Sequence, residues 1–121
     1  MAKAVHNDVL DAALNEIATA TSISVCSQEP TTRTEAVTTY MLITHTLTGG
    51  DFTNADGDVS GRKVTIAQQA SLTVTNTGTG NHIALTDGST LLYVTTCPAV
   101  SLTAAATETI NAFDIELRDP T

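Results

Sequence analysis

The feature that most constrains this chain is a change of hydrophobic period near residue 22. Upstream of it, Val5, Val9, Leu10, Ala13, Leu14 and Ile17 recur at helical spacing and form one apolar stripe. This predicts a helix over residues 4–18. Asp8 and Asp11 lie in its N-terminal half, where the helix dipole favours acids. Thr19 to Ser22 then lower helix propensity and end it. Downstream the period falls to two. Ile23 and Val25 alternate with Ser22, Ser24 and Cys26, which reads as a half-buried strand.

The same alternation continues to residue 118, broken at turn residues. Residues 27–36 are polar, contain Pro30 and read as a loop. Val37 to Leu47 reads as a long strand with both faces partly apolar, placed centrally or across a bend, and Gly49-Gly50 ends it. Residues 51–61 read as a loop with a short strand around Phe52. Arg62 to Ala67 points Val64 and Ile66 inward, and Ser71 to Thr77 does the same with Leu72 and Val74. Gly78-Thr79-Gly80 reads as a turn. His82 to Asp87 and Leu91 to Cys97 flank the hairpin signal Asp87-Gly88, and Pro98 is expected to stop the second strand. Thr107 to Ile110 and Phe113 to Leu117 complete the set, with Asp114 and Glu116 outward. Seven to eight short strands punctuated by turns predict a mainly β chain: an antiparallel β-sandwich over residues 22–118, jelly-roll or immunoglobulin-like, behind one N-terminal helix. The whole of residues 1–121 fits one domain with one core.

Composition sharpens this. Thr supplies 24 of the 121 residues, and it suits strands while leaving a hydroxyl for the solvent face. Trp is absent and aromatics are scarce, so Val, Ile, Leu and Ala must build the core. Thirteen acids against five bases give a net charge of −8. That excludes a nucleic-acid grip, which needs clustered Lys and Arg, and equally an anionic membrane surface. The start, Met1-Ala2-Lys3-Ala4-Val5-His6, lacks the apolar stretch of a secretory signal, and no run is long enough to span a membrane.

Few constellations invite chemistry. Asp51 to Asp58 is an acidic, Gly-containing loop of the kind calcium uses, but it lacks the EF-hand spacing and terminal Glu, so a solvated turn is the plainer reading. His6, His45 and His82 are scattered, and Cys26 and Cys97 have neither metal nor redox spacing. Reduced, buried thiols are expected, with a disulfide geometrically open. No Gly-x-Ser-x-Gly elbow or phosphate loop is present. No catalytic residues, metal or cofactor are therefore expected, and the chain is read as a non-enzyme. Two features are candidate partner contacts. Arg62-Lys63 is the one adjacent basic pair, suited to an acidic neighbour. The helix stripe, with Val5 and Val9, could pack on its own sandwich or dock elsewhere.

Several segments resemble small virion proteins encoded beside head genes in tailed bacteriophages. They are Ala4 to Leu14, Val25 to Pro30 followed by Thr34-Glu35-Ala36, Asp56 to Thr65, His82 to Leu85, Leu91 to Cys97 and Phe113 to Leu117. The layout of helix, strand, Pro loop, β body and apolar closing strand also resembles tail-fibre-like phage proteins. The resemblance implies a β-sandwich that decorates the capsid exterior as a cement protein, made in the host cytoplasm. It implies the major capsid protein as partner and a homo-oligomer, dimer or trimer, suited to local lattice axes. It carries over no diagnostic site residues. A tail, fibre or adaptor component is the alternative. A carbohydrate-binding module would have only Tyr40, Tyr93, Phe52 and Phe113 as aromatic platforms.

Overall fold

The computed structural model describes residues 4–120. Met1 to Lys3 and Thr121 lie outside the described residues, so the reading of the extreme N-terminus and the ends of the 1–121 span lie there too.

The helix α1 spans Asn7–Ile17, starting three residues later than its apolar pattern. His6 caps it: its ring nitrogen accepts from the Asp8 N–H at 3.1 Å, satisfying one of the orphan donors of the first turn. Nine strands follow among the described residues: β1 (Ser22–Cys26), β2 (Met41–Thr46), β3 (Phe52–Asp56), β4 (Arg62–Ile66), β5 (Gln69–Thr73), β6 (Gly78–Thr86), β7 (Leu91–Leu102), β8 (Thr107–Ile110) and β9 (Phe113–Leu117). They form a four-stranded sheet ordered β2-β1-β6-β7, a three-stranded sheet ordered β3-β4-β9 and a ribbon of β5 and β8, all antiparallel.

One cluster joins these layers into a β-sandwich. Ile23, Val25, Ile43, Ile83 and Leu85 of the larger sheet meet Val64, Ile66 and Ile115 of the smaller one, with Leu72 and Ile110 from the ribbon. Leu14 of α1, fully buried, enters the same cluster. The helix therefore packs on its own chain, against β4 and reaching β7 and β9. Its stripe is narrower than the sequence suggests. Leu10 and Leu14 are buried, Val5 and Ile17 are half-buried, and Val9 is 61% exposed. Most strand Thr lie on the outer faces, as expected: Thr44, Thr46, Thr53, Thr73, Thr96, Thr107 and Thr109 are exposed, whereas Thr86 is buried.

The larger sheet is covered on both faces, which corrects the half-buried reading of its strands. Ser24, Cys26, Ala84 and Thr86 are all at 0% exposure, although they occupy the polar phase of the alternation. The cover is a π-helical turn, Glu35–Thr39, standing where a strand was expected to begin. Its Ala36 packs on Cys26 and Ala84, with Val37, Tyr40, Leu91 and Val94 around them. Small side chains on this face let the turn approach closely. Glu35 fixes the turn by accepting from the Thr31 N–H at 2.8 Å and the Thr31 hydroxyl at 2.7 Å. The strand that remains, β2, ends the sheet instead of lying centrally. Its outer edge is occupied by the Thr75 and Asn76 N–H groups, which donate to the Leu42 carbonyl, and by the Asn76 amide on the Met41 carbonyl.

Two further punctuation marks read differently in three dimensions. Gly78 and Gly80 are not a turn but open β6. A Cβ at Gly80 would lie 2.6 Å from Val25 Cγ1, and one at Gly78 3.0 Å from Leu42 Cδ2, so the glycines mark close approach to neighbouring side chains. Pro98 does not end its strand. β7 continues to Leu102 because it lies at the sheet edge, where a missing N–H leaves no ladder bond unmade. The β6–β7 register skips there: His82 pairs with Thr96 and Gly80 with Val100, so Cys97, Pro98 and Ala99 form a bulge opposite Asn81. A second irregularity falls at Leu92. Bulges and a proline are recognised means of blunting an exposed edge.

Candidate functional site

Three places were candidates from sequence: the basic pair, the helix stripe and the acidic loop. The structure brings the first and last together. Arg62 and Lys63 start β4, and residues 57–61 turn the chain back from β3 so that Asp56 pairs with Arg62 in the ladder. The turn is closed by the Gly57 N–H donating to the Gly61 carbonyl at 3.0 Å, with Gly61 in the left-handed region at φ +69°. The loop acids thereby meet the cations. Arg62 binds Asp56 and, from α1, Asp11, each at 2.8 Å. Lys63 binds Asp58 at 2.8 Å and Asp114 of β9 at 3.3 Å. Four acids surround two bases, and both cationic pKa values rise, chiefly through these hydrogen bonds. Asp114 is held below its ordinary range, first by the Thr65 hydroxyl and then by Lys63.

The same engagement holds for the other described bases. Arg118 pairs with Glu116 at 2.7 Å, and Arg33 donates to the Asp87 carbonyl at 2.7 Å. Glu116 also accepts from the Asp58 N–H, tying the turn to β9. Among the described residues, three of the four basic groups are thus paired with carboxylates of the chain and Arg33 bonds a neutral carbonyl, and the net charge a partner meets is negative. Val5 is anchored by its N–H donating to Asp119 at 3.5 Å, while Val9 stays on the outward side of α1.

The remaining candidates stay apart. His6 and His45 are exposed, and His82 is half-buried with its ring nitrogen 2.6 Å from the Asn81 amide oxygen. No three His, Cys, Asp or Glu side chains gather into a metal-holding group among the described residues. Cys26 and Cys97 are free thiols in different apolar clusters. Burial pushes the Cys26 thiol up to about 11, with its Sγ near the Ala36 carbonyl at 3.5 Å.

One feature was not anticipated from sequence. A cleft of about 430 Å³ opens between β7 and the link from β8 to β9. Val25, Ile43 and Ile83 of the core form its floor; Tyr93, Cys97 and Pro98 stand on one wall, with Ile110 and Phe113 on the other. Glu108 and Asp114 also line it. The signal was present but misread: Pro98 inside an apolar run marked a bulge that holds the wall away from the ribbon, not the end of a strand. The cleft brings together Tyr93 and Phe113, two of the four aromatic residues of the chain.

No protein-family model matches the chain, and no curated protein or solved structure matches it.

Proposed function

We propose that this chain is a non-enzymatic structural protein of a tailed-phage virion, docked on the capsid exterior as a decoration, or cement, protein. It bridges capsomers of the major capsid protein and acts as a dimer or trimer. The reading rests on the resemblance of its segments to small virion proteins, and the observation that carries it furthest is the disposition of its surface. Exposed Thr-rich strands offer area and hydroxyl groups, and three of the four described cations, Arg62, Lys63 and Arg118, are paired with carboxylates within the chain. Such a surface can be covered by a neighbour with few unpaired cations to strip of water. A shell presents many equivalent sites, so distributed complementarity repeated over the lattice does the work that a single tight site does elsewhere.

The test is co-sedimentation of the purified protein with expanded shells that lack it. The expected result is saturable binding that raises the temperature at which the shells come apart. Failure to bind shells would move the chain to the alternative, a tail, fibre or adaptor component.

A further inference from the structure

The cleft between β7 and the β8–β9 link has a use that the sandwich itself does not require. Its deepest lining, Val25, Ile43 and Ile83, is buried core at most 9% exposed, while the apolar side chains Tyr93, Cys97, Val100 and Phe113 nearer the mouth stay half-buried. Here the bulge at Cys97–Ala99 holds the β7 wall out. The volume, about 430 Å³, falls within the roughly 300–1,000 Å³ typical of ligand pockets, and the lining is mainly apolar with a few polar groups, as such sites are.

Charge narrows the occupant. The lining includes two carboxylates, Glu108 and Asp114, and no base. Asp114 already holds Lys63 and Thr65, whereas Glu108 makes no ion pair among the described residues. With the other described bases engaged elsewhere in the chain, an anionic ligand finds no counter-charge here and a cationic one does. Geometry narrows it further. The cleft lies between β7 and β9, each the last strand of its sheet, and the Pro98 bulge blunts the β7 edge, so a segment entering it is held through its side chains.

We propose that this cleft receives a segment of a partner protein: a bulky apolar side chain seated among Tyr93, Cys97, Val100 and Phe113, flanked by lysine or arginine facing Glu108. The proposal deepens the docking reading above by naming the site and the chemistry of what enters it. An apolar anchor in a desolvated pocket, ringed by weaker polar contacts, is how a small interface concentrates its affinity.

The chain contains no Trp, so tryptophan in a probe is seen without background. The probe is the peptide acetyl-Lys-Trp-Leu-Lys-amide, titrated into the full chain, with acetyl-Glu-Trp-Leu-Glu-amide as its counterpart. Saturable blue-shifted emission is expected for the first, with affinity at least about tenfold higher than for the second. Two perturbations check the place. Glu108→Gln should weaken the Lys-flanked probe about threefold or more, because it removes the facing charge. Modifying Cys97 with N-phenylmaleimide on the folded protein, its fold verified by circular dichroism, should abolish binding by filling the cleft. Cys26 is buried and stays unreacted. Equal affinity for both peptides, unchanged binding after Cys97 modification, or no saturation up to millimolar probe would overturn the proposal. So would binding of a neutral oligosaccharide in the cleft without the peptide. Shell binding that survives Cys97 modification refutes the cleft and leaves the decoration reading standing; peptide binding without shell binding does the reverse.

Discussion

Replacing Gly80 with alanine tests the packing that shapes both the sheet and the cleft floor. The added Cβ would lie 2.6 Å from Val25 Cγ1, 3.2 Å from Leu102 Cδ1 and 3.7 Å from Val100 Cγ1. The first distance is well inside van der Waals contact, so Val25, itself 5% exposed, must move. Overpacking of this kind costs about 1–3 kcal/mol. Replacing glycine inside a strand returns about 0.5–1 kcal/mol of backbone entropy. The net loss then spans roughly 0–2.5 kcal/mol, and because Val25 can yield only part of the way toward the open cleft a loss of about 1 kcal/mol is expected. At about 3–5 °C per kcal/mol for a chain of this size, the melting temperature falls by a few degrees. Urea unfolding of Gly80→Ala should show this, beside Gly88→Ala, where a Cβ meets nothing within 4 Å and the change should stay within about 0.5 kcal/mol. Combining Gly80→Ala with Val25→Ala removes the clashing methyl, so the double variant should lose less than the sum of the two singles by about 0.5 kcal/mol or more. A Gly80→Ala protein as stable as the parent, or strict additivity in the double, would mean that residues 78–80 are a loose turn after all.

Two other outcomes follow from the packing and the charges. Leu14→Ala removes a fully buried side chain that ties α1 to the sandwich core and should cost about 2–5 kcal/mol, whereas Val9→Ser on the outward side should change stability by less than about 0.5 kcal/mol; matching losses in chemical denaturation would contradict the docking of the helix described above. Acid should unfold the protein through its hydrogen-bonded carboxylates. Glu35 is lowered by the Thr31 N–H, Asp51 by that of Thr48, Asp87 by those of Ser89 and Thr90, Asp114 by the Thr65 hydroxyl and Glu116 by Arg118. Since their folded values lie below the ordinary 4.5 and 3.8, this stability is complete above those values and drains away as pH falls through the folded ones. The urea midpoint should therefore change little between pH 7 and 5 and drop by pH 3; a flat profile from pH 5 to 3 would contradict it.

Much of the fold was legible because alternation is a direct record of a half-buried sheet. Val64 and Ile66, Leu72 and Val74, and Ile115 point inward where the period places them, and Asp87-Gly88 makes its hairpin. The differences share one cause: tertiary neighbours, not local punctuation, decide the path of the chain. Glycines at 78 and 80 yield space to Leu42 and Val25, and Pro98 sits in an edge bulge. Ser24, Cys26, Ala84 and Thr86 look polar or small in sequence, yet all four are buried, and on Cys26 and Ala84 the turn at Glu35–Thr39 closes. Such a turn is invisible to periodicity, because Val37 to Thr39 carry β-branched chemistry that suits a strand.

The site was less legible than the fold. Arg62 and Lys63 stood out as a basic pair, but the acids that engage them come from α1, the end of β3, the β3–β4 turn and β9, up to 51 residues away in sequence. The register of β3, β4 and β9 brings Asp56, Asp58 and Asp114 around them, and the packing of α1 on β4 adds Asp11. The cleft likewise needs β7 and the β8–β9 link to face one another across the sandwich, and no local motif encodes that juxtaposition.

The most direct measurement of the central claim is the number of copies of this chain in each native virion, determined by quantitative mass spectrometry against the major capsid protein. The decoration reading predicts hundreds of copies in fixed ratio to the shell subunit. A count of a few tens or fewer would contradict it and place the chain in the tail or fibre.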